Sequence, residues 1–303
     1  MRIANGFFST TIQGTLSKNN GDLARIMSQI SQERRVLVPS DDPIASVRLR
    51  MLDRDAVMLD QYRGNIGALK VRLQESETRL DGMLDTITSG HDLMIWALDG
   101  ANTSADVNAM SSTLSSMIDR LVAAGNAADS DGNYLFSGTR TDTAPVAYDA
   151  AAPLGSRYSY AGNGGTQQVV VGNGVTQSAN VNVSGMPDLL NRMEAALEVL
   201  RDPAVNVNDP ATRDVLAAAE TALNQAIDTT SGTIGQLGGA RNTLDLLDDS
   251  HAALQVSNGE AAQRVDGMDM ADLYDQLTQH TVAIQATYQV YGKIMQLNPF
   301  DLL

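Results

Sequence analysis

From Leu52 to Ala97 the apolar residues of this sequence recur at alternating steps of three and four. The positions are Leu52, Asp55, Leu59, Tyr62, Ile66, Leu69, Leu73, Ser76, Leu80, Met83, Ile87, Gly90, Met94 and Ala97, and eleven of the fourteen are apolar. The residues between them include Arg63, Lys70, Arg72, Glu75, Glu77, Arg79 and Asp81. Two apolar positions in seven, held over this length, predict a narrow coiled-coil seam and not a helix lying broadly on a globular core. Such a helix is roughly 70 Å long at ~1.5 Å per residue. That exceeds the width of a compact domain, so the rod needs partners along its length.

The partners are readable in the same way. Residues 8–37 carry a seam at Ile12, Leu16, Asn19, Leu23, Ile26, Ile30, Glu33 and Leu37, weakened in the middle by Asn19, Asn20 and Gly21. A third runs Val107, Met110, Leu114, Met117, Leu121, Ala124, Ala128 after a break at Gly100–Ser104, which predicts a helical hairpin with the long rod. Helix is expected again at Pro187–Leu200, along a long seam from Leu216 to Met268, and from Met270 to Gln296, where Leu273, Leu277, His280, Ile284, Thr287, Tyr291 and Ile294 form one stripe. With only 4% aromatic residues, the core is built from narrow aliphatic seams. Neither half of the chain can cover its stripes alone, so helices from both ends must pair.

Between Asn126 and Met186 the composition shifts to Gly, Asn, Ser, Thr, Val and Tyr with a period nearer two. Strands are expected at Tyr158–Tyr160, Gln167–Val171 and Val181–Val183, separated by glycine-rich turns. The fold class is therefore mainly α: a long-helix coiled-coil bundle built from both chain ends, with a small inserted β domain. The expected divisions are 1–38 with 264–303 for a terminal helical domain, 39–136 with 188–263 for the long-helix bundle, and 137–187 for the outer β insert.

Interruptions in the helices mark candidate hinges. Val38–Pro43 stops the first helix and starts the next, with Pro39 in the turn, Asp42 as N-cap and Pro43 in the first helical turn. Four glycines between Ser231 and Gly239, among them Gly238 and Gly239, soften the long C-terminal seam, and Asn258–Gly259 is expected to interrupt it again.

The chemistry of catalysis is missing. His91, His251 and His280 have no histidine or Glu-x-x-His companion at helix-face spacing, so no metal site is expected. Asp129-Ser130-Asp131-Gly132-Asn133 begins like a calcium loop, but Tyr134 and Arg140 stand where glycine and glutamate are required. There is no phosphate-binding loop, no nucleophile elbow and no cysteine. No catalytic, cofactor-binding or metal-binding residues are assigned and no enzyme is expected. A formal charge of −15 opposes nucleic acid as a partner, and no apolar run is long enough for membrane insertion. Residues 1–38 hold five basic groups against two acidic, whereas residues 264–303 hold two against five. The two ends carry opposite charge.

Three stretches are familiar. Met1–Asn5 with Val36-Leu37-Val38-Pro39-Ser40-Asp41-Asp42-Pro43 resembles the N-terminal region of the flagellin superfamily. Leu237-Gly238-Gly239-Ala240-Arg241-Asn242-Thr243-Leu244 is similar to its Leu-Gly-Ala-x-x-Asn-Arg-Leu stretch, departing at Gly239 and Thr243. Gln285–Gln289 and Leu297-Asn298-Pro299-Phe300-Asp301-Leu302-Leu303 resemble its C-terminal helix. Within the superfamily, Gly132-Asn133-Tyr134-Leu135-Phe136-Ser137-Gly138-Thr139 resembles the start of the outer domain of members that join hook to filament. The resemblance implies an axial structural protein of the bacterial flagellum, secreted by the flagellar type III route without a cleaved signal. It implies a homo-oligomeric ring with another hook-associated protein on the hook side and flagellin on the filament side, and an export chaperone at the C-terminal helix; the alternative is flagellin, the filament subunit. The assembly interface is then expected on the terminal helices, at Ile12, Leu16, Leu23, Ile26, Ile30, Leu273, Leu277, Ile284, Tyr291 and Ile294.

Overall fold

The computed structural model describes residues 2–296, and side chains for residue 7 and for 9–293. Six helices and four short strands follow in the order α1 (Arg2–Gln32), α2 (Pro43–Ala97), α3 (Ser104–Gly125), β1 (Val146–Tyr148), β2 (Tyr158–Tyr160), β3 (Gln168–Gly172), β4 (Val175–Ser178), α4 (Met186–Arg201), α5 (Pro210–Asp266) and α6 (Met270–Gln296). This is the expected mainly-α architecture with long helices from both chain ends and a small β insert. Packing divides the chain into two units, one of residues up to Met58 with those from Ala253 onward, the other of Leu59–Ala252. Helices α2 and α5 contribute to both.

In the Leu59–Ala252 unit, all ten seam positions of α2 from Ile66 to Ala97 are buried. Their core is shared with Val107, Leu114, Ile118 and Leu121 of α3, Leu190, Met193 and Leu197 of α4, and Leu216, Leu223, Leu237 and Leu244 of α5. Gly90 marks a four-helix cross-section: a Cβ there would stand 3.3 Å from Leu223 Cδ2, 3.7 Å from Met193 Cε and 3.8 Å from Met117 Sδ. Glycine on the seam thus lets three helices close on the fourth. α3 starts on a capping box in which Thr103 and Asp106 serve each other's backbone N–H, and α4 starts with Pro187 in its first turn.

The β insert consists of two antiparallel hairpins, β1–β2 and β3–β4. Tyr158–Tyr160 is a strand as expected and Gln167–Val171 is shifted by one, but Val181–Val183 is not a strand. Asn182 makes an isolated bridge to Ser137, because the Asn180 side chain already ends the ladder by accepting from Gln167 N at 2.7 Å and donating to Gly165 O at 3.1 Å. The partners of the other two strands are instead Val146–Tyr148 and Val175–Ser178.

Two helix ends also differ from expectation. The first helix stops at Gln32, five residues before Leu37, and Glu33 takes a left-handed φ of 51°. At the other end of the chain, α5 passes through Asn258–Gly259 unbroken and stops at Asp266. Both ends are drawn to the same place, described below.

The Gly132–Thr139 stretch has a structural explanation. Leu135, Phe136, Ser137 and Gly138 are all buried, and Gly138 has φ +76° with the Asn163 carbonyl oxygen only 2.1 Å from where a Cβ would sit. Gly138→Ala is expected to destabilise this unit by about 2 kcal/mol through backbone strain and displacement of Asn163, measurable by chemical denaturation.

Two loop carboxylates and one in the first turn of α3 are held below the ordinary range by hydrogen bonds: Asp42 chiefly by Ala45 N–H, Asp129 by Asn133 N–H, and Asp106 of α3 by the Thr103 hydroxyl. A depressed folded pKa contributes stability that is complete above the unfolded value of 3.8 and lost as pH falls through the folded one. Melting temperature is therefore expected to drop on acidification below that value. Asp106→Ala should lower it at neutral pH and leave a shallower acid slope.

Candidate functional site

The ten seam residues expected on the terminal helices lie in the unit formed by the two chain ends, where α1 and α6 pack along each other. Ile12, Ile26 and Leu273 are buried, and Leu16, Leu23, Ile30, Leu277, Ile284 and Tyr291 are half-buried; the side chain of Ile294 lies outside the described residues. Within one chain these residues already cover one another. The apolar surface left open lies off the seam. Val282, 57% exposed, is on the side of α6 opposite Leu273 and Ile284, while Tyr274, Tyr288 and Val290 flank that seam. On α1, Phe7 is 76% exposed and Met27 58%. α1 covers the seam side of α6 and leaves these apolar side chains of α6, scattered among polar neighbours such as Asp275, Gln289 and Lys293, in water. Periodicity alone hides these residues, because the signal is apolar side chains outside the stripe.

The same unit contains a dense joint between the α1–α2 and α5–α6 connections. The Asp266 carboxylate accepts from Arg34 Nε and from Val36 N, each at 2.8 Å, and its carbonyl accepts Arg35 N at 3.1 Å. Arg35 Nη2 donates to the carbonyl of Val265 at 2.9 Å and to the Asp42 carboxylate at 3.0 Å. This explains the early stop of the first helix: Arg34, Arg35 and Val36 leave helical geometry to bind the end of α5. The Arg34 guanidinium is pushed further up by its hydrogen bond to Asp266. Beneath lies a small core of Val36, Ala45 and Leu49 with Ala262 and Val265 against it.

The hinge candidates are placed differently from one another. Pro39 is exposed in the turn that Asp41 closes by accepting Leu37 N and Val38 N, and Pro43 opens α2 behind the Asp42 cap, whose Oδ1 accepts Ala45 N at 2.9 Å. Gly238, Gly239 and Gly259 lie inside α5, with nothing within 4 Å of a Cβ built on any of them.

In the other unit, α2 and α5 run antiparallel and are tied by a ladder of charges. Arg63 binds Asp248 at 2.7 Å, Lys70 pairs with Asp245, Glu77 with Arg241, and His91 Nε2 lies 3.2 Å from Glu220. On α2 these are steps of seven or fourteen, the flank of a coiled-coil seam. The sign reverses between Lys70 and Glu77, so a slip of one heptad would oppose like charges. The β3–β4 hairpin is fastened to the same pair of helices. Its bulge at Val171 presents two successive carbonyls, Val170 to Asn65 Nδ2 and Val171 to His251 Nε2, both at 2.8 Å. A carbonyl only accepts, so His251 carries its proton on Nε2 and acts as a buried structural fastener. Among the described residues no group of three or more His, Cys, Asp or Glu could hold a metal ion, and no helix is long and apolar enough to cross a membrane.

The bacterial flagellin N-terminal helical region matches residues 3–141. A solved structure of a flagellar hook-associated protein from Vibrio parahaemolyticus is 30% identical, covering 75% of this chain and 100% of that one with a TM-score of 0.67. Flagellar hook-associated protein 3 of Escherichia coli strain K12 is 25% identical over 309 residues, 95% of each chain. The chain belongs to the flagellar hook-associated protein 3 family. The crystal structure of Xanthomonas campestris FlgL, 13% identical with a TM-score of 0.62 over 70% of this chain and 99% of that one, shares the fold.

Proposed function

We propose that the chain is a structural subunit of the flagellar hook–filament junction. In this reading it forms a homo-oligomeric ring with another hook-associated protein on the hook side and flagellin on the filament side. It reaches that place outside the cell unfolded, through the type III route and without signal cleavage, with an export chaperone covering the C-terminal helix. The observation that carries the reading is the helix pair α1–α6, which leaves Phe7, Met27, Val282, Tyr288 and Val290 in water. Such surface is stable when neighbours bury it, and a marginal helix pair that orders on assembly suits a subunit threaded through a narrow channel. The three-part division, with terminal helices, long-helix bundle and an outer insert at residues 137–187, follows the same logic.

Flagellin itself is the second reading, because the match over residues 3–141 is to a region named for flagellin. Seeded polymerisation separates the two. Monomer added to sheared filament fragments is expected not to lengthen them, whereas the same protein supplied to hooks lacking a junction layer is expected to restore filament growth. Continued elongation of the fragments would make the chain a filament subunit. Hydrogen exchange on the dilute monomer should be fast in α1 and α6, and strong protection there would count against ordering on assembly.

A further inference from the structure

Five asparagines of this chain are followed by glycine: Asn5, Asn20, Asn163, Asn173 and Asn258. Such a pair is reactive, because the glycine amide nitrogen can reach back to the asparagine side-chain carbonyl carbon with no Cβ in its way. The structure holds the five differently. Asn5 and Asn20 lie in α1 and Asn258 in α5, where the helical backbone turns the following amide toward carbonyls of the preceding turn. Asn163 is in a loop, but its side chain is engaged. Its Oδ1 accepts Thr139 N at 2.9 Å and Gly165 N at 3.0 Å, and its Nδ2 donates to Thr139 Oγ1 at 2.9 Å. Turning toward Gly164 would break all three bonds.

Asn173 and Gly174 are the two residues that join β3 to β4. Both are exposed, and the Asn173 side chain makes no hydrogen bond among the described residues. Gly174 has φ +70°, and nothing lies within 4 Å of a Cβ built there. The peptide between the two residues therefore has room to turn over.

We propose that Asn173 is a site of spontaneous modification through a succinimide. Base removes the proton from Gly174 N, and the nitrogen attacks Asn173 Cγ. The N–Cγ bond forms, the Cγ–Nδ2 bond breaks, and ammonia leaves with a proton returned by the solvent. Water then opens the ring. Attack at Cγ gives aspartate, and attack at the main-chain carbonyl gives isoaspartate, in which the chain runs through Cγ. Nothing is oxidised or reduced. Both products add a negative charge, and isoaspartate also inserts a methylene into the backbone.

The methylene enters a turn that sets strand register. The β3–β4 hairpin already carries a register shift between Val170 and Gly172, and the Val170 and Val171 carbonyls there bind Asn65 and His251. A longer turn changes the pairing that positions both carbonyls, so isoaspartate loosens the hairpin from α2 and α5. The inference does not depend on the junction reading.

For the test, the full chain is aged in mildly alkaline buffer and digested at acid pH. Its asparagine peptides are followed by mass spectrometry, and isoaspartate is located by enzymatic methylation. The Asn173 peptide is expected to convert from amide to carboxyl at least about tenfold faster than those of Asn163 and Asn258, which must first break native hydrogen bonds. Equal rates, or earlier conversion of Asn163 or Asn258, would overturn the assignment. Asn173→Gln, which would need a larger ring, should stay intact, and conversion at the parental rate would refute the succinimide route. Hydrogen exchange then reads the consequence. Protection in Gln168–Ser178 should fall as isoaspartate accumulates, whereas Asn173→Asp, with the charge but not the methylene, should exchange like the parent. Parental protection in the isoaspartate form, or an equal loss in Asn173→Asp, would overturn the loosening.

Discussion

Alanine at Gly232, Gly235, Gly238 and Gly239 together is expected to raise the stability of the monomer while impairing motility. All four glycines lie within α5, and a Cβ built on any of them meets nothing within 4 Å. Each replacement adds helix propensity and restricts the unfolded chain, about 0.8–1 kcal/mol apiece and roughly 3–4 kcal/mol in total. No intramolecular packing accounts for keeping glycine at four places in one helix. The reading proposed for Gly238 and Gly239 is that softness here lets the subunit bend where two differently packed tubes meet. The stabilised variant should then be secreted normally and reach the hook, but swim poorly. Normal swimming with the raised melting temperature would remove the hinge reading and leave the glycines without a role. Gly259→Ala, in the same helix and equally open, tests whether any single softened point suffices.

The fold class is legible in the sequence because seams are a repeated signal. A period of three and four residues over Leu52–Ala97 is reinforced at every turn, and the ten buried positions from Ile66 onward follow it without exception. Strands of three to five residues have no such repetition. Val146–Tyr148 and Val175–Ser178 are too short for alternation to stand out, while Val181–Val183 looks like a strand but loses its pairing to the Asn180 side chain. The helix ends are hard to read for another reason. Arg34–Leu37 has helical period, and what stops the helix is Asp266, 230 residues away from Val36. Similarly, Arg63, Lys70 and Glu77 are readable as flanking charges, yet their partners Asp248, Asp245 and Arg241 are identified only once the antiparallel register of α2 and α5 is known. In the candidate site, the seam residues of α1 and α6 are readable as a stripe. Phe7, Val282 and Tyr288 are not, because their apolar character matters only when a neighbour has occupied the stripe and left them outside.

Asp266→Ala is expected to free the terminal helices without unfolding the Leu59–Ala252 unit. The carboxylate has two distinct jobs. Its pairing with Arg34 is a surface contact, the guanidinium being 52% exposed, and contributes on the order of 0–1 kcal/mol after screening. Its bond from Val36 N matters more, since Val36 is buried and its N–H would be left without an acceptor, at about 1–3 kcal/mol. Together they predict a loss of about 3 kcal/mol, confined to the unit that contains the joint. Asp266→Asn keeps an oxygen for Val36 N and gives up the charge, so it should lose much less. Hydrogen exchange read segment by segment is the measurement. In the alanine variant, protection should collapse in Arg34–Leu49 and Ala262–Asp266, while α3 and α4 exchange as in the parent. A loss spread evenly through both units would mean that the joint does not act locally. If the junction reading is right, the alanine variant is also secreted but fails to stay on the hook, because α1 and α6 must leave the joint at a fixed register to present Phe7, Val282 and Tyr288 to the next subunit. Salt discriminates the two contributions: raising ionic strength should weaken the parent only slightly, since the larger part is a backbone hydrogen bond that counter-ions do not screen.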